Sequence, residues 1–157
     1  MLKLDEKSRI KTEFEISQID KLLNESKPLL EFCKLKKPDF IEMSAAALLL
    51  HSFYNGIENI LKLIIKFYDT EIPNDTKWHT ELLERAFVPN ENRREIFNIE
   101  LREKMEEYLK FRHFVRHAYG FQLDWERMED LVLGIENNWE KVKNNLNVFI
   151  QITPEPE

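Results

Sequence analysis

Apolar residues recur along most of this chain at the three- and four-residue steps of a helix buried on one side. From about Asp5 to Leu35 the apolar positions are Ile10, Phe14, Ile19, Leu22, Leu23 and Leu30. They predict a first helix, with Pro28 as the point where it kinks or splits and Pro38 as its stop. Asp39, with Glu42 three residues on, reads as a capping box. It opens a second helix that runs to about Tyr68 along the stripe Phe53, Ile57, Ile60, Leu61, Ile64 and Tyr68. The polar loop DTEIPNDTK separates it from a short helix over about Trp78 to Ala86. Pro89 and Asn90 then punctuate the chain, and Asn90 can cap the turn that follows. A fourth helix is predicted from about Ile99 to Tyr119, with Gly120 as its C-cap. The last begins near Asp124, where Met128, Val132, Ile135, Trp139, Val142, Leu146 and Phe149 alternate steps of four and three, a heptad seam for the core or for a dimer, with the core favoured. The expectation is an all-α, up-down bundle of about five helices with short connections. It would form a single helical domain over residues 1–152, with a frayed tail at 153–157.

Composition narrows this picture. With 157 residues, 43% of them apolar, the chain can bury one sizeable core; 3 Gly and 6 Pro disfavour a loop-rich β architecture. The one cysteine, Cys33, excludes an internal disulfide framework and a cysteine-rich zinc site, fits a reducing cytosol, and reads as a small buried hydrophobe. The N-terminal stretch MLKLDEKSRIKTEFE lacks the apolar core of a signal peptide, and the run AAALLL at 45–50 is far too short to span a bilayer. A cytoplasmic protein without a membrane partner is therefore expected. The net charge of −6 argues against a dedicated nucleic-acid coat but leaves room for a local basic cleft.

The chemistry concentrates in FRHFVRHAYG, residues 111–120, which packs two Arg, two of the four His and one Tyr into eight positions. On a helix at about 100° per residue, Leu101, Met105, Tyr108 and Val115 define an apolar stripe. Arg112 and Tyr119 fall on that stripe with Arg116 at its edge, and an arginine there is the anomaly, because arginine is almost never buried unpaired. His113 and His117 lie on the opposite side, beside Arg102, Glu106 and Lys110. A regular helix holds Arg112 and His117 about 140° apart. Either the helix unwinds before His117, which Gly120 would fit, or one site combines groups from two subunits of a symmetric dimer. Histidine can take the proton of an RNA 2′-hydroxyl or give one to the leaving oxygen, and arginine grips phosphate oxygens as a fork. No metal is needed for that chemistry. Cations are also favoured at a helix C-terminus by the dipole alone, so a structural helix end stays open as a reading.

Other residues carry weaker signals. His113 and His117 have the spacing of paired zinc ligands, but no Glu stands in the H-E-x-x-H position and no third ligand is evident, so neither a metal nor a cofactor is expected. His51 reads as a satisfied core histidine and His79 as a structural group near a helix start. Glu58 and Asn55 could stand behind the cleft, or be solvated or capping; their roles stay open.

Arg112-x4-His117-x-Tyr119 resembles the R-x4-6-H signature of HEPN ribonucleases, in the R-x4-H-x-Y form of HepT-like toxins. His113 follows the Arg, where that superfamily tends to place Asn, Asp or His. The stretch RHFVRHAYGFQLDWERM and the upstream Trp78, His79, Leu82 and Leu83, which look like a W-H-x-x-L-L element, extend the similarity over about residues 78–130. The resemblance implies a HEPN-like bundle that forms a homodimer through the motif helix. It also implies metal-independent cleavage of RNA, with Arg112 and His117 catalytic and His113 and Arg116 supporting. The implied partner is a minimal nucleotidyltransferase (MNT) antitoxin that transfers AMP from ATP onto Tyr119. The alternative is a non-catalytic helical module that binds nucleotide or a nucleotidyltransferase and keeps the motif as a docking or modification site.

Overall fold

In the computed structural model, which describes residues 3–152, the helical pattern resolves into seven α-helices and no strand among the described residues. They are α1 (Glu6–Glu25), α2 (Lys27–Leu35), α3 (Phe40–Tyr68), α4 (Trp78–Ala86), α5 (Arg102–His117), α6 (Trp125–Leu133) and α7 (Ile135–Ile152). The count exceeds the expected five at two breaks. The first predicted helix splits at Ser26, which puts Pro28 at the start of α2 where its missing N–H costs nothing. The last splits at Gly134, so the seam steps across a break and is not a coiled coil. The expected fraying of 153–157 lies outside the described residues.

Local signals set the other boundaries. The Asp39 carboxylate accepts the Glu42 N–H at 2.8 Å while Glu42 accepts the Asp39 N–H at 2.9 Å, the reciprocal box that starts α3. Asp5 caps α1 through the Ser8 N–H at 3.0 Å, and Asp124 caps α6 through the Glu126 N–H at 3.1 Å. Helix α4 matches its predicted span.

Helix α3 is the axis, with α1, α4, α5 and α6 packed around it. A Cβ at Gly56 would lie 2.7 Å from the Ile19 side chain, so only glycine lets α1 and α3 approach so closely there. All seven residues of the predicted seam are buried within the chain, so the seam is core. Each such side chain contributes about 1.5–3 kcal/mol of transfer free energy. Ile10 and Phe14, expected inward, are exposed; the buried line on α1 runs instead through Thr12, Ile19 and Leu23. Phe53 packs edge-on against Tyr108 and Trp139 at 5.1 and 6.1 Å. The buried Tyr108 hydroxyl donates to the Leu131 carbonyl at 2.8 Å and accepts from Asn138 at 2.9 Å, and burial pushes its pKa well up. Cys33 is buried, and that burial raises its thiol pKa. No helix among the described residues is long and apolar enough to cross a membrane.

A second polar structure sits at the far end of α3. Arg93, with its side chain only 1% exposed, donates Nε to Asp69 Oδ1 at 2.9 Å and Nη2 to Asp69 Oδ2 at 3.3 Å. Its remaining donors reach the carbonyls of Val88, Arg94 and Arg85 at 3.0–3.2 Å. Asn90 caps the same turn, accepting from the N–H groups of Asn92 and Arg93, and its amide donates to Asp69 at 3.0 Å. The segment between α4 and α5 is thereby tied to the end of α3.

Candidate functional site

A cleft of about 1160 Å³ runs between α5 on one side and α4 with the loop before it on the other. Arg112, His113, Arg116 and His117 all line it, so four of the five residues singled out from the sequence share one cavity. Helix α5 continues unbroken to His117, so unwinding before His117 is not how the four come together. Arg112 and His117 remain about 7 Å apart along the axis and about 140° around it.

The arginine anomaly is resolved from below. Arg112 Nε donates to Asn55 Oδ1 at 2.8 Å and stands 3.7 Å from Glu58 Oε1. Glu58 is the buried carboxylate of α3, its side chain 3% exposed. The Nη1 and Nη2 groups of Arg112 make no hydrogen bond to the described residues, and its side chain lines the cleft with 12% exposure. One edge of the guanidinium is thus anchored, and the fork is left for an anion in the cleft.

Glu58 serves a second partner. Its Oε2 meets His79 Nδ1 at 2.7 Å, so one carboxylate holds the arginine of α5 with one oxygen and the histidine of α4 with the other. The His79 ring lies against Trp78 with centroids 3.5 Å apart, and Lys62 Nζ sits 4.2 Å over the indole. His79 lines the same cleft as Arg112. Its expected structural role at a helix start is therefore incomplete: it is a member of the cleft. A lone carboxylate inside the apolar run of α3 and the Trp78-His79 pair were the signals in the sequence.

Behind Arg112, Asn55 Nδ2 lies 3.0 Å from His51 Nε2. Since Asn55 Oδ1 accepts from Arg112, its amide donates to His51, which assigns the ring proton of His51 to Nδ1. That atom is buried without a partner, so His51 is not the satisfied core histidine expected. Burial first, then the charges of Arg112 and Arg116, lower its pKa against the pull of Glu58, and the ring stays neutral. His113 and His117 are exposed, with ring centroids 5.0 Å apart. No three His, Cys, Asp or Glu side chains among the described residues come together as metal ligands would.

Tyr119 is placed differently from its expectation. Helix α5 ends two residues earlier: Ala118 and Tyr119 are extended, and Gly120 begins a short 3-10 turn, Gly120–Gln122, instead of capping the helix. No described residue has a positive φ, so the glycine cap does not form. Tyr119 therefore leaves the stripe of Arg112. It is 72% exposed and stacked on Phe121 at 5.4 Å, beside a separate small pocket lined by Ser44, Leu48, His51, Val115 and Leu123.

Compared with known proteins, the chain matches the family model described as HepT-like protein over residues 45–153. No curated protein and no solved structure matches it.

Proposed function

The chain belongs to the HepT-like family of the HEPN superfamily, and from that premise we propose that it is a ribonuclease toxin which cleaves RNA by attack of the 2′-hydroxyl on the neighbouring phosphate. The observation that carries this reading is the free fork of Arg112 facing a cleft that also holds His113, Arg116 and His117. Arg112 clamps the phosphate and meets the charge that grows on it. His117 carries a proton to or from the reacting oxygens. Arg116 and His113 add positive charge along the strand. Lys77, Arg102 and Lys110 line the same cleft beside Asp75, Glu84 and Glu106, with Arg102 paired to Glu106 at 3.1 Å, so together with Arg112 and Arg116 the lining is net positive on a chain of net charge −6.

Purified, unmodified protein is expected to cut RNA in the presence of EDTA and to leave 2′,3′-cyclic phosphate ends or their hydrolysis product. The check is end-group analysis of the fragments. Loss of all cleavage in EDTA with recovery on adding a divalent ion sinks the mechanism, and no cleavage in any condition leaves the docking module as the function.

Regulation forms part of the same reading. An MNT-type nucleotidyltransferase encoded beside the toxin adds AMP to Tyr119, and the 72% exposure of that residue supports this. The adduct lies two residues beyond His117 and blocks the strand with a bulky adenosine and a negative charge. The toxin acts as a homodimer; exposed Phe114 and Phe121 at the end of the motif helix supply apolar surface for such a contact. Incubation with the transferase and ATP is expected to raise the mass by one or more AMP units while cleavage falls in step. Tyr119→Phe should stay unmodified and keep cutting; if it gains AMP by intact mass, or if modified wild type still cuts freely, Tyr119 is not the control point.

A further inference from the structure

We infer that His79, oriented by Glu58, is the general base of this site: it removes the 2′-hydroxyl proton of the RNA whose phosphate Arg112 holds. The inference rests on the ribonuclease reading and adds a residue from outside the motif. Its basis is geometric. Arg112 and His117 leave helix α5 about 140° apart, so the helix offers a histidine on one side of the phosphate that Arg112 holds and no base on the other. Helix α4 supplies what α5 cannot. His79 Nδ1 and Arg112 Nε lie 2.7 and 3.7 Å from the two oxygens of the one buried carboxylate of Glu58, so imidazole and guanidinium are neighbours on the floor of the cleft.

The bond to Glu58 also fixes the tautomer. With the ring proton on Nδ1, donated to Glu58 Oε2, the lone pair is on Nε2, as a base requires. The carboxylate then stabilises the imidazolium that forms, as in other carboxylate–histidine pairs. The charged groups facing His79 are Glu58 from α3, Lys62 of α3 across the Trp78 ring, and Arg112 of α5 beyond the shared carboxylate; Asp75 and Lys77 precede it on its own segment and line the cleft. The step balances without another reactant. His79 Nε2 takes the 2′-hydroxyl proton, the 2′-oxygen bonds to phosphorus, the bond from phosphorus to the 5′-oxygen breaks, and that oxygen takes a proton from His117. The products are a 2′,3′-cyclic phosphate and a 5′-hydroxyl. Glu58 touches no substrate and is a positioning residue.

The test compares His79→Gln with His117→Ala on two substrates: an RNA dinucleotide and uridine 3′-(4-nitrophenyl phosphate), whose leaving group needs no proton. His79→Gln is expected to slow both by about 10²–10⁴-fold and to lose the decline of rate toward acid pH. His117→Ala should slow the dinucleotide and recover much of its rate on the nitrophenyl ester. Glu58→Gln should slow both substrates and weaken the same acidic limb. The far-UV circular dichroism of each variant checks the fold, and His79→Asn stands in if the glutamine variant is unfolded. Near wild-type rates in a folded His79 variant overturn the assignment while leaving the ribonuclease reading intact. Recovery of His79→Gln on the nitrophenyl ester overturns it too, because that would make His79 the acid. Failure of wild type to cleave either substrate is a different result, which removes the ribonuclease reading and this inference together.

Discussion

Arg112→Ala is expected to lower RNA cleavage by at least about 10²–10³-fold, the cost of removing one preorganised donor from developing charge. The same change should also lower stability, which the sequence reading did not anticipate. Arg112 supplies the positive charge nearest Glu58 Oε1 and the donor to Asn55 Oδ1, and both partners sit in or next to the core. Leaving an acceptor there unpaired costs about 1–3 kcal/mol. Arg112→Lys separates the two roles. An ammonium keeps the charge beside Glu58 but cannot donate to Asn55 and still offer a planar fork to phosphate. It should therefore recover most of the stability and little of the cleavage. Thermal melts and a fluorogenic RNA assay on the three proteins decide it; cleavage near the wild-type rate in either variant removes Arg112 from the mechanism.

The largest loss of stability is expected at Arg93, far from any chemistry. Arg93→Met would leave Asp69, whose side chain is 9% exposed, with the Asn90 amide at 3.0 Å and Arg85 at 3.5 Å, and would strip donors from the carbonyls of Val88, Arg94 and Arg85. Breaking one side of a buried pair costs about 3–5 kcal/mol. At about 2–4 °C per kcal/mol for a chain of this size, the melting temperature should drop by about 6–20 °C. Because Asp69 then keeps only the longer contact to Arg85 as its ion pair, Arg93→Met with Asp69→Leu should be more stable than Arg93→Met alone. Urea denaturation measures both. A loss under about 1 kcal/mol in the single variant would show that the pair is dispensable.

Periodicity and caps made most of the fold legible. The Asp39–Glu42 box, the span of α4 and the buried seam from Met128 to Phe149 follow from signals within a few residues of one another. The two extra breaks did not, because Ser26 and Gly134 stay close to helical backbone angles and interrupt the chain without interrupting the apolar spacing. The face of α1 was misread for a related reason: Thr12 is buried and Phe14 exposed, and pattern alone assigns the phenylalanine inward. At the site, Arg112, His113, Arg116 and His117 were legible because they share one helix. The Glu58 bond to His79 joins residues 21 positions apart, across a loop no local rule positions. Tyr119 was misplaced because its orientation was computed for a helix that ends at His117.

Helix α3 also acts as a ruler. Glu58 lies within it and Asp69 caps its C-terminus, eleven residues and about 16 Å further along the axis. Helix α4 hangs between them, its first turn held through His79 and its last through Arg85 and the Arg93 bond to the Arg85 carbonyl. Inserting or deleting one residue in α3 between the two acids would swing one of them by about 100° and release one end of α4. The loop before α4 is held near its start, where the Glu71 carbonyl accepts from Arg85, and no buried ion pair among the described residues fixes its remaining length. Across related chains, the interval between these two acids should therefore be fixed to the residue, while the loop between Glu71 and Trp78 is free to grow or shrink.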